Sequence, residues 1–331
     1  MLSILESLPD GLLDLPATEL YTVLPGPTLI HLPGRREPAL FVAILLHGNE
    51  VTGWEVMRTL LRRYQNQELP RRLSLLIGNV AAARHRRRRL EQQPDYNRIW
   101  SGGDTPEHAA MRQVLETMRR RGVFASIDVH NNAGINPYYA CVNQVDHRFL
   151  QLARRFSPTI VYFTRPEGVQ SLAFAELCPS VVLECGQPGD QAGMSRAIEH
   201  LDGCLKLAEI PSEPVSANDI NVFHTIAVVK IPKERSFGFG HGEWDIQFAE
   251  QIDRFNFRDV PLGTELASIR SESNSILDVK EASGRDALDR FFAIENNTLR
   301  AAAPLIPSML STNVDLIRQD CLCYLMERYP L

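Results

Sequence analysis

Apolar residues recur in two rhythms along roughly the first 210 positions. Residues 28–32, 39–46, 73–77, 124–129, 159–163 and 180–183 are short, dense apolar runs. Turn formers such as Pro33-Gly34, Pro38 and Gly78-Asn79 bound several of them, which predicts strands. The run from Ala39 to Leu46 is apolar on both alternating faces, the pattern of an interior strand covered on both sides. Between the runs, apolar residues return at helical spacing. Trp54, Met57, Leu60 and Leu61 mark a helix over 51–65, and further helices are predicted over 108–121, 149–156 and 192–208. Residues 1–20, punctuated by Pro9 and Pro16, read as a short amphipathic helix. Strands alternating with helices predict an α/β domain whose mixed sheet is mostly parallel and flanked by helices.

The rhythm changes near Pro211-Ser212-Glu213-Pro214. Beyond it come short β-like runs at 225–231, 245–248, 265–269, 290–294 and 315–324, with few long helical patterns. The expected organisation is an α/β domain over 1–210 followed by a smaller β-rich domain over 211–331. No internal repeat is visible.

Composition narrows the function. The chain has 331 residues, 44% of them hydrophobic, enough for a sizeable core. A net charge of -5 gives no global attraction to nucleic acid or an anionic membrane. The run 39–46 is too short to span a bilayer. The first 20 residues carry Glu6, Asp10 and Asp14 and no early basic residue, which argues against a secretory signal. Six cysteines are too sparse for a disulfide framework and read as reduced thiols, so a cytoplasmic protein is expected. The biased stretch Arg84-His85-Arg86-Arg87-Arg88-Arg89 lacks interleaved aromatics and reads as a solvated or site-rim loop rather than an RNA-binding surface. Cys321 and Cys323 read as packed thiols, Trp54 and Trp100 as packing residues, and His241 as part of an ordinary glycine-rich turn.

Three strand ends carry candidate chemistry. His47 stands at the end of the buried run, where ligands of open α/β sheets bind, and Glu50 follows three residues later at a helix start. An imidazole and a carboxylate so placed can share one ion, and zinc accepts that mixed set in a three-ligand site open to water. In Asp128-Val129-His130 the first and third side chains share a face. The histidine suits a metal, with Asp128 orienting either it or His47. A third strand ends in Glu184-Cys185-Gly186, where a carboxylate can act as general base toward a zinc-bound water whose pKa is lowered to about 7. In a loop, Asn97-Arg98 can grip a carboxylate, the arginine through its two-pronged guanidinium.

The strings His47-Gly48-Asn49-Glu50, Gly78-Asn79, Asp95-Tyr96-Asn97-Arg98, Asp128-Val129-His130 and Glu184-Cys185-Gly186 occur together and in this order. With them the chain resembles the zinc carboxypeptidase superfamily, and within it the succinylglutamate desuccinylase/aspartoacylase branch. The segment 257–265 resembles that branch's C-terminal domain less specifically. The resemblance implies one zinc ion held by His47, Glu50 and His130, and Glu184 as the carboxylate that activates the zinc-bound water and then protonates the leaving amine. It further implies Asn97 and Arg98 as the substrate-carboxylate pair, and an oxyanion-stabilising arginine within 86–89, with Arg89 the choice and Arg88 the next. One departure stands out. Members acting on N-acetylaspartate carry a basic residue about ten positions before the catalytic glutamate. Residues 172–176 have none here, and Arg165 is displaced from that place.

The expected function is therefore zinc-dependent hydrolysis of an amide bond in a carboxylate-bearing small molecule, such as an N-acyl amino acid. The alternatives are a metallocarboxypeptidase or amidase acting on short peptides, and a non-catalytic binding protein on the same fold. Turnover of N-acyl amino acids against short peptides separates them.

Overall fold

The computed structural model describes residues 1–270 and 276–331. The chain divides into two compact units, Met1–Asn131 with Tyr138–Asn221, and Asn132–Pro137 with Val222–Leu331. Residues 211–221 thus go with the first unit, beyond the expected division at 210. Gln151 Nε2 donates to the Glu213 carbonyl (2.8 Å), the Val215 N–H to His147 Nδ1 (3.2 Å), and the Asn221 N–H to the Pro158 carbonyl (2.8 Å). The short segment 132–137 goes with the second. Asn256 Nδ2 donates to the Ile135 carbonyl (3.0 Å) and the Met309 N–H to Asn136 Oδ1 (3.1 Å).

The first unit is an α/β layer structure. Its strands are β1 (Ser3–Leu5), β2 (Thr28–Leu32), β3 (Ala39–Ile44), β4 (Leu73–Ile77), β5 (Val123–His130), β6 (Tyr139–Val142), β7 (Thr159–Tyr162) and β8 (Ser180–Glu184). Its helices are α1 (Thr52–Arg63), α2 (Val80–Arg84), α3 (Pro106–Arg121), α4 (His147–Arg154), α5 (Gln170–Ala175) and α6 (Gln191–Lys206). The strand order is β1-β2-β4-β3-β5-β8-β6-β7. The β4-β3-β5-β8 stretch is parallel throughout, while β2/β4 and β6/β8 pair antiparallel. Every residue of β3 is buried, as a run apolar on both faces requires. α3 shows how the helices are delimited: Thr105 caps it by accepting the His108 N–H (3.4 Å), Pro106 opens it, and Gly122 ends it with a left-handed φ of 75°.

The expected N-terminal α-helix is not formed. Residues 1–20 hold β1, paired parallel with β2, and 3-10 turns at Leu12–Asp14 and Ala17–Thr22. Pro9 and Pro16 withhold backbone donors and Gly11 takes a left-handed φ of 73°, so no continuous ladder can run. The apolar residues Leu12, Leu13, Ala17 and Leu20 are buried by the turns instead. α2, β6 and α5 were not anticipated, being too short to show a period.

The second unit is β-rich, as expected. β9 (Asn221–Lys230) begins at the last residue of the first unit. β10 (Phe237–Phe239), β11 (Ile246–Phe248), β12 (Glu265–Ile269), β13 (Asp278–Glu281), α7 (Leu288–Phe291), β14 (Phe292–Glu295), β15 (Thr298–Ala301), β16 (Ile306–Ser308), α8 (Val314–Gln319) and β17 (Cys323–Arg328) complete it. A separate sheet has the order β10-β11-β12-β15-β14, while β17 pairs with both β9 and β16. The run 315–324, expected as one strand, is α8 in its first half, capped by Asn313 Oδ1 on the Leu316 N–H, with β17 beginning only at Cys323. Cys321 and Cys323 are both buried. No helix among the described residues is long and apolar enough to cross a membrane.

One buried group away from the strand ends makes stability depend on pH. His200 on α6 is 3% exposed, its ring edge-on to Phe156, and its Nδ1 has no side-chain or backbone hydrogen-bond partner among the described residues. Burial, assisted by the Arg155 charge, pushes its pKa down to about 3. The unfolded chain protonates this ring near 6.5 and the folded chain does not. The contribution is therefore fully present above about 6.5 and is lost as pH falls toward about 3. We expect urea midpoints of the wild type to fall below pH 6.5 more steeply than those of His200→Leu. The excess slope should approach about 1.4 kcal/mol per pH unit, one proton's worth. Parallel pH profiles for the two proteins remove His200 as the cause.

Candidate active site

β3, β5 and β8 are neighbouring parallel strands, so their C-terminal ends emerge along one edge of the sheet. His47 lies three residues past β3, His130 is the last residue of β5, and Glu184 is the last residue of β8. His130 and Glu184 are register partners, so their side chains leave the sheet on the same face. The turn after β3 brings Glu50 back toward both histidines. Gly48 permits this turn: a Cβ there would stand 2.3 Å from the Ala83 backbone nitrogen, at α2.

Glu50 is the centre of the cluster. Its Oε1 lies 2.7 Å from His47 Nδ1 and its Oε2 lies 2.6 Å from His130 Nδ1. One ligating atom from each of the three residues can be chosen so that all lie within 4.8 Å of one another, and all three residues are buried. Burial pushes the Glu50 carboxyl up, but His47 and His130 outweigh it and hold the group well below the usual carboxylate range. Burial likewise pushes His130 down, and Asp128 and Glu50 outweigh it and raise it well above 6.5. Two imidazole nitrogens and a carboxylate turned toward one point are a donor set that fits zinc.

The far side of each ring meets a carboxylate. His47 Nε2 is 3.0 Å from Asp95 Oδ1, and His130 Nε2 is 2.8 Å from Asp128 Oδ2. Asp128 therefore pairs with its own neighbour two residues on, and His47 is oriented by Asp95. Asp95 stood in the sequence only as part of a string, without a role. An imidazole held this way keeps Nδ1 turned inward and is more basic there. Asn131, which has no role legible in the sequence, ties the edge together. Its Nδ2 donates to Thr52 Oγ1 and to the Gly186 carbonyl, both at 2.8 Å, and its N–H donates to Glu50 Oε2 (3.3 Å).

Glu184 is 8% exposed and its Oε2 has no hydrogen-bond partner among the described residues. Burial pushes its pKa up to about 8. The His130 charge opposes the shift, and Glu50 and Asp128 add to it. A carboxyl with that pKa exchanges protons near neutrality.

The arginine run divides. Arg88 is buried; its Nε and Nη2 each lie 3.0 Å from Asp95 Oδ2, and its Nη1 lies 3.9 Å from Glu50 Oε1. Its carbonyl accepts the Gly48 N–H (3.1 Å), which fixes it against the His47 turn. Arg89, the expected residue, is turned elsewhere, its Nη1 donating to the Gln93 carbonyl (2.9 Å). Gln93 Oε1 also accepts the Leu90 N–H (3.2 Å) and Asn79 Nδ2 (3.0 Å), so the chain folds back here and takes Arg89 with it. Arg86 and Arg87 are exposed.

Asn97 is buried, with Nδ2 3.3 Å from His130 Nε2, while Arg98 is half-buried, with Nη1 donating to the Asn97 carbonyl (2.8 Å). His47, Glu50, His130 and Arg88 thus meet in one cluster, with Asn97 against His130. Arg165 pairs with Glu167 at an exposed position.

Comparison with known proteins places the chain in a family. The model of the succinylglutamate desuccinylase/aspartoacylase catalytic domain matches residues 38–205, which hold all of these side chains. The structure of the succinylglutamate desuccinylase from Chromobacterium violaceum is similar with a TM-score of 0.59 at 16% identity, over 90% of this chain and 86% of that one. Murine aminoacylase 3 is similar with a TM-score of 0.55 at 16% identity, over 89% and 97%. The product-bound ectoine utilization protein from Ruegeria pomeroyi is similar with a TM-score of 0.56 at 14% identity, over 90% and 88%. At these identities the likeness speaks for the fold. A search of curated protein sequences gave no significant match. The family model spans the three strand ends, the buried histidine–glutamate cluster and the asparagine–arginine loop, and the chain belongs to the succinylglutamate desuccinylase/aspartoacylase family.

Proposed function

We propose that the protein is a zinc-dependent hydrolase cleaving the amide bond of an N-acyl amino acid, with zinc held by His47, Glu50 and His130. One observation carries the reading: the convergence of two imidazoles and a carboxylate at the edge where Glu184 also ends its strand. The family and its structural relatives, a desuccinylase and an aminoacylase among them, support N-acyl amino acids over the peptidase alternative.

When bound, zinc supplies Lewis acidity, polarising a carbonyl and easing deprotonation of water. The protein's own groups do the rest. Asp95 and Asp128 hold the two imidazoles in the orientation that turns Nδ1 inward. Glu184 takes a proton from the attacking water and returns it to the departing amine nitrogen, a task for which a carboxyl raised by burial is suited. Arg88 takes the place expected of Arg89. Its guanidinium beside Glu50 is a preorganised cation for negative charge developing on the scissile carbonyl oxygen. Asn97 and Arg98 bind the substrate carboxylate.

These roles predict different kinetic signatures. Arg98→Ala should raise KM chiefly, because the carboxylate is held equally in ground and transition states. Arg88→Ala should lower kcat by roughly 10²–10³, as losing an oxyanion donor does, and Arg89→Ala should change neither constant. Steady-state kinetics on a panel of N-acyl amino acids and short peptides test all three together with the substrate class. A kcat loss in Arg89→Ala with none in Arg88→Ala reverses the assignment.

A further inference from the structure

We propose that Gly168 and the backbone of Gln170 are positioning residues that present the donor end of Asn97, with Arg98 beside it, to the substrate carboxylate. The inference rests on the proposed function, in which that pair binds the carboxylate. The segment leading into α5 runs against the loop carrying the pair. Gly168 has a left-handed φ of 76°, and a Cβ there would stand 2.4 Å from the Arg98 carbonyl oxygen and 2.8 Å from its carbon. No other residue fits both that dihedral and that approach. The Gly168 carbonyl accepts the Trp100 N–H (3.0 Å), so contacts to this one residue fall on both sides of Ile99.

Two residues on, the Gln170 N–H donates to Asn97 Oδ1 (2.9 Å). A backbone N–H can only donate, so it fixes which end of the Asn97 amide it meets. Oδ1 is turned toward α5, and Nδ2, the donor end, is turned toward His130. A carboxylate needs donors. With the amide reversed, the same residue would face the substrate with an oxygen and repel it. Gln170 is itself anchored, wholly buried, with Nε2 donating to Ser126 Oγ (2.7 Å) on β5, the strand that ends in His130. The Trp100 ring packs edge-on against Phe174 of α5, which keeps the two segments together.

The test uses the full zinc-loaded chain. Gly168→Ala forces the Arg98 backbone away. We expect KM for N-acyl amino acids to rise roughly 10- to 100-fold, the scale of an ångström misplacement, with kcat and zinc content held within about threefold. The matching N-acyl amino acid amides, which lack the carboxylate, should show no such rise. Gln170→Ala keeps the N–H but frees its anchor, and should raise KM less. A merely structural glycine would instead lower kcat, zinc content and thermal midpoint together, for both substrate types, and that result overturns the proposal. The side-chain amide resonances of Asn97, assigned through Asn97→Asp, provide a readout without turnover. They should move in Gly168→Ala and stay in Gly263→Ala, a glycine of similar φ (82°) with nothing within 4 Å of the added Cβ. If the wild type hydrolyses no carboxylate-bearing amide, the proposed function fails while these resonances still decide the positioning. Should Gly168→Ala not fold, Gln170→Ala decides through the same readouts, and unchanged KM with unmoved resonances there counts against it.

Discussion

Glu184→Gln is expected to retain zinc and substrate affinity while kcat falls by roughly 10²–10⁴, the range of a lost acid–base group. The substitution keeps the volume and polar shape of a residue that is buried at the end of β8, so packing against β5 survives. What it removes is the ability to accept a proton. Wild-type Glu184 is raised to about 8 by burial, and its Oε2 has no hydrogen-bond partner among the described residues that would compete for a proton. An amide nitrogen is a poor leaving group until protonated, so the loss should fall on kcat. A zinc ion held by His47, Glu50 and His130 would supply Lewis acidity without Glu184, so some turnover should persist. Steady-state kinetics and metal analysis on one preparation test this. Loss of zinc would make Glu184 a metal-holding residue, and near-wild-type turnover would move the base elsewhere, with Asp128 the first candidate.

His47→Ala and His130→Ala are each expected to reduce bound zinc from about one per chain to a small fraction, and activity with it, because a three-ligand site does not retain the ion on two. In the wild type, zinc at about 1,000 times its dissociation constant should raise stability by roughly 4 kcal/mol, and neither variant should show that gain. Each substitution also removes a partner of buried Glu50, whose depressed pKa shows how strongly both rings favour its charged form. Some destabilisation of the metal-free variants is therefore expected on top of the metal effect. Metal content after dialysis against a mild chelator, with thermal midpoints with and without added zinc, gives both quantities. Full zinc retention in both variants would remove these histidines as ligands.

Much of this was legible along the chain because it is local. A run such as Ala39 to Leu46 cannot be placed at a surface, so it becomes β3, and the residues just past it are delivered to the end of a parallel strand. The same holds for Asp128-Val129-His130 and for Glu184, where period-two alternation already put the aspartate and the histidine on one face. The failures were local too. The apolar spacing of residues 1–20 matches a helix, but Pro9, Gly11 and Pro16 deny it a ladder. The run 315–324 hid a capped helical turn in front of a strand.

Sequence alone determined the longer strands of the first unit, several of their bounding turns and the residue types that end them, since hydrophobic period and turn chemistry act between near neighbours. It also carried the family, through short strings in a fixed order. It did not determine which arginine of the run reaches the cluster, because adjacent guanidiniums are alike in sequence. The fold-back held by Gln93 and the bond from Gly48 to the Arg88 carbonyl are what separate Arg88 from Arg89. Nor did it determine which carboxylate serves which histidine. Asp95 reaches His47 across 48 residues, and Asp128 serves its own neighbour. Long side chains are selective only at distances of about 3 Å, and those distances exist only once separate strands and loops have packed.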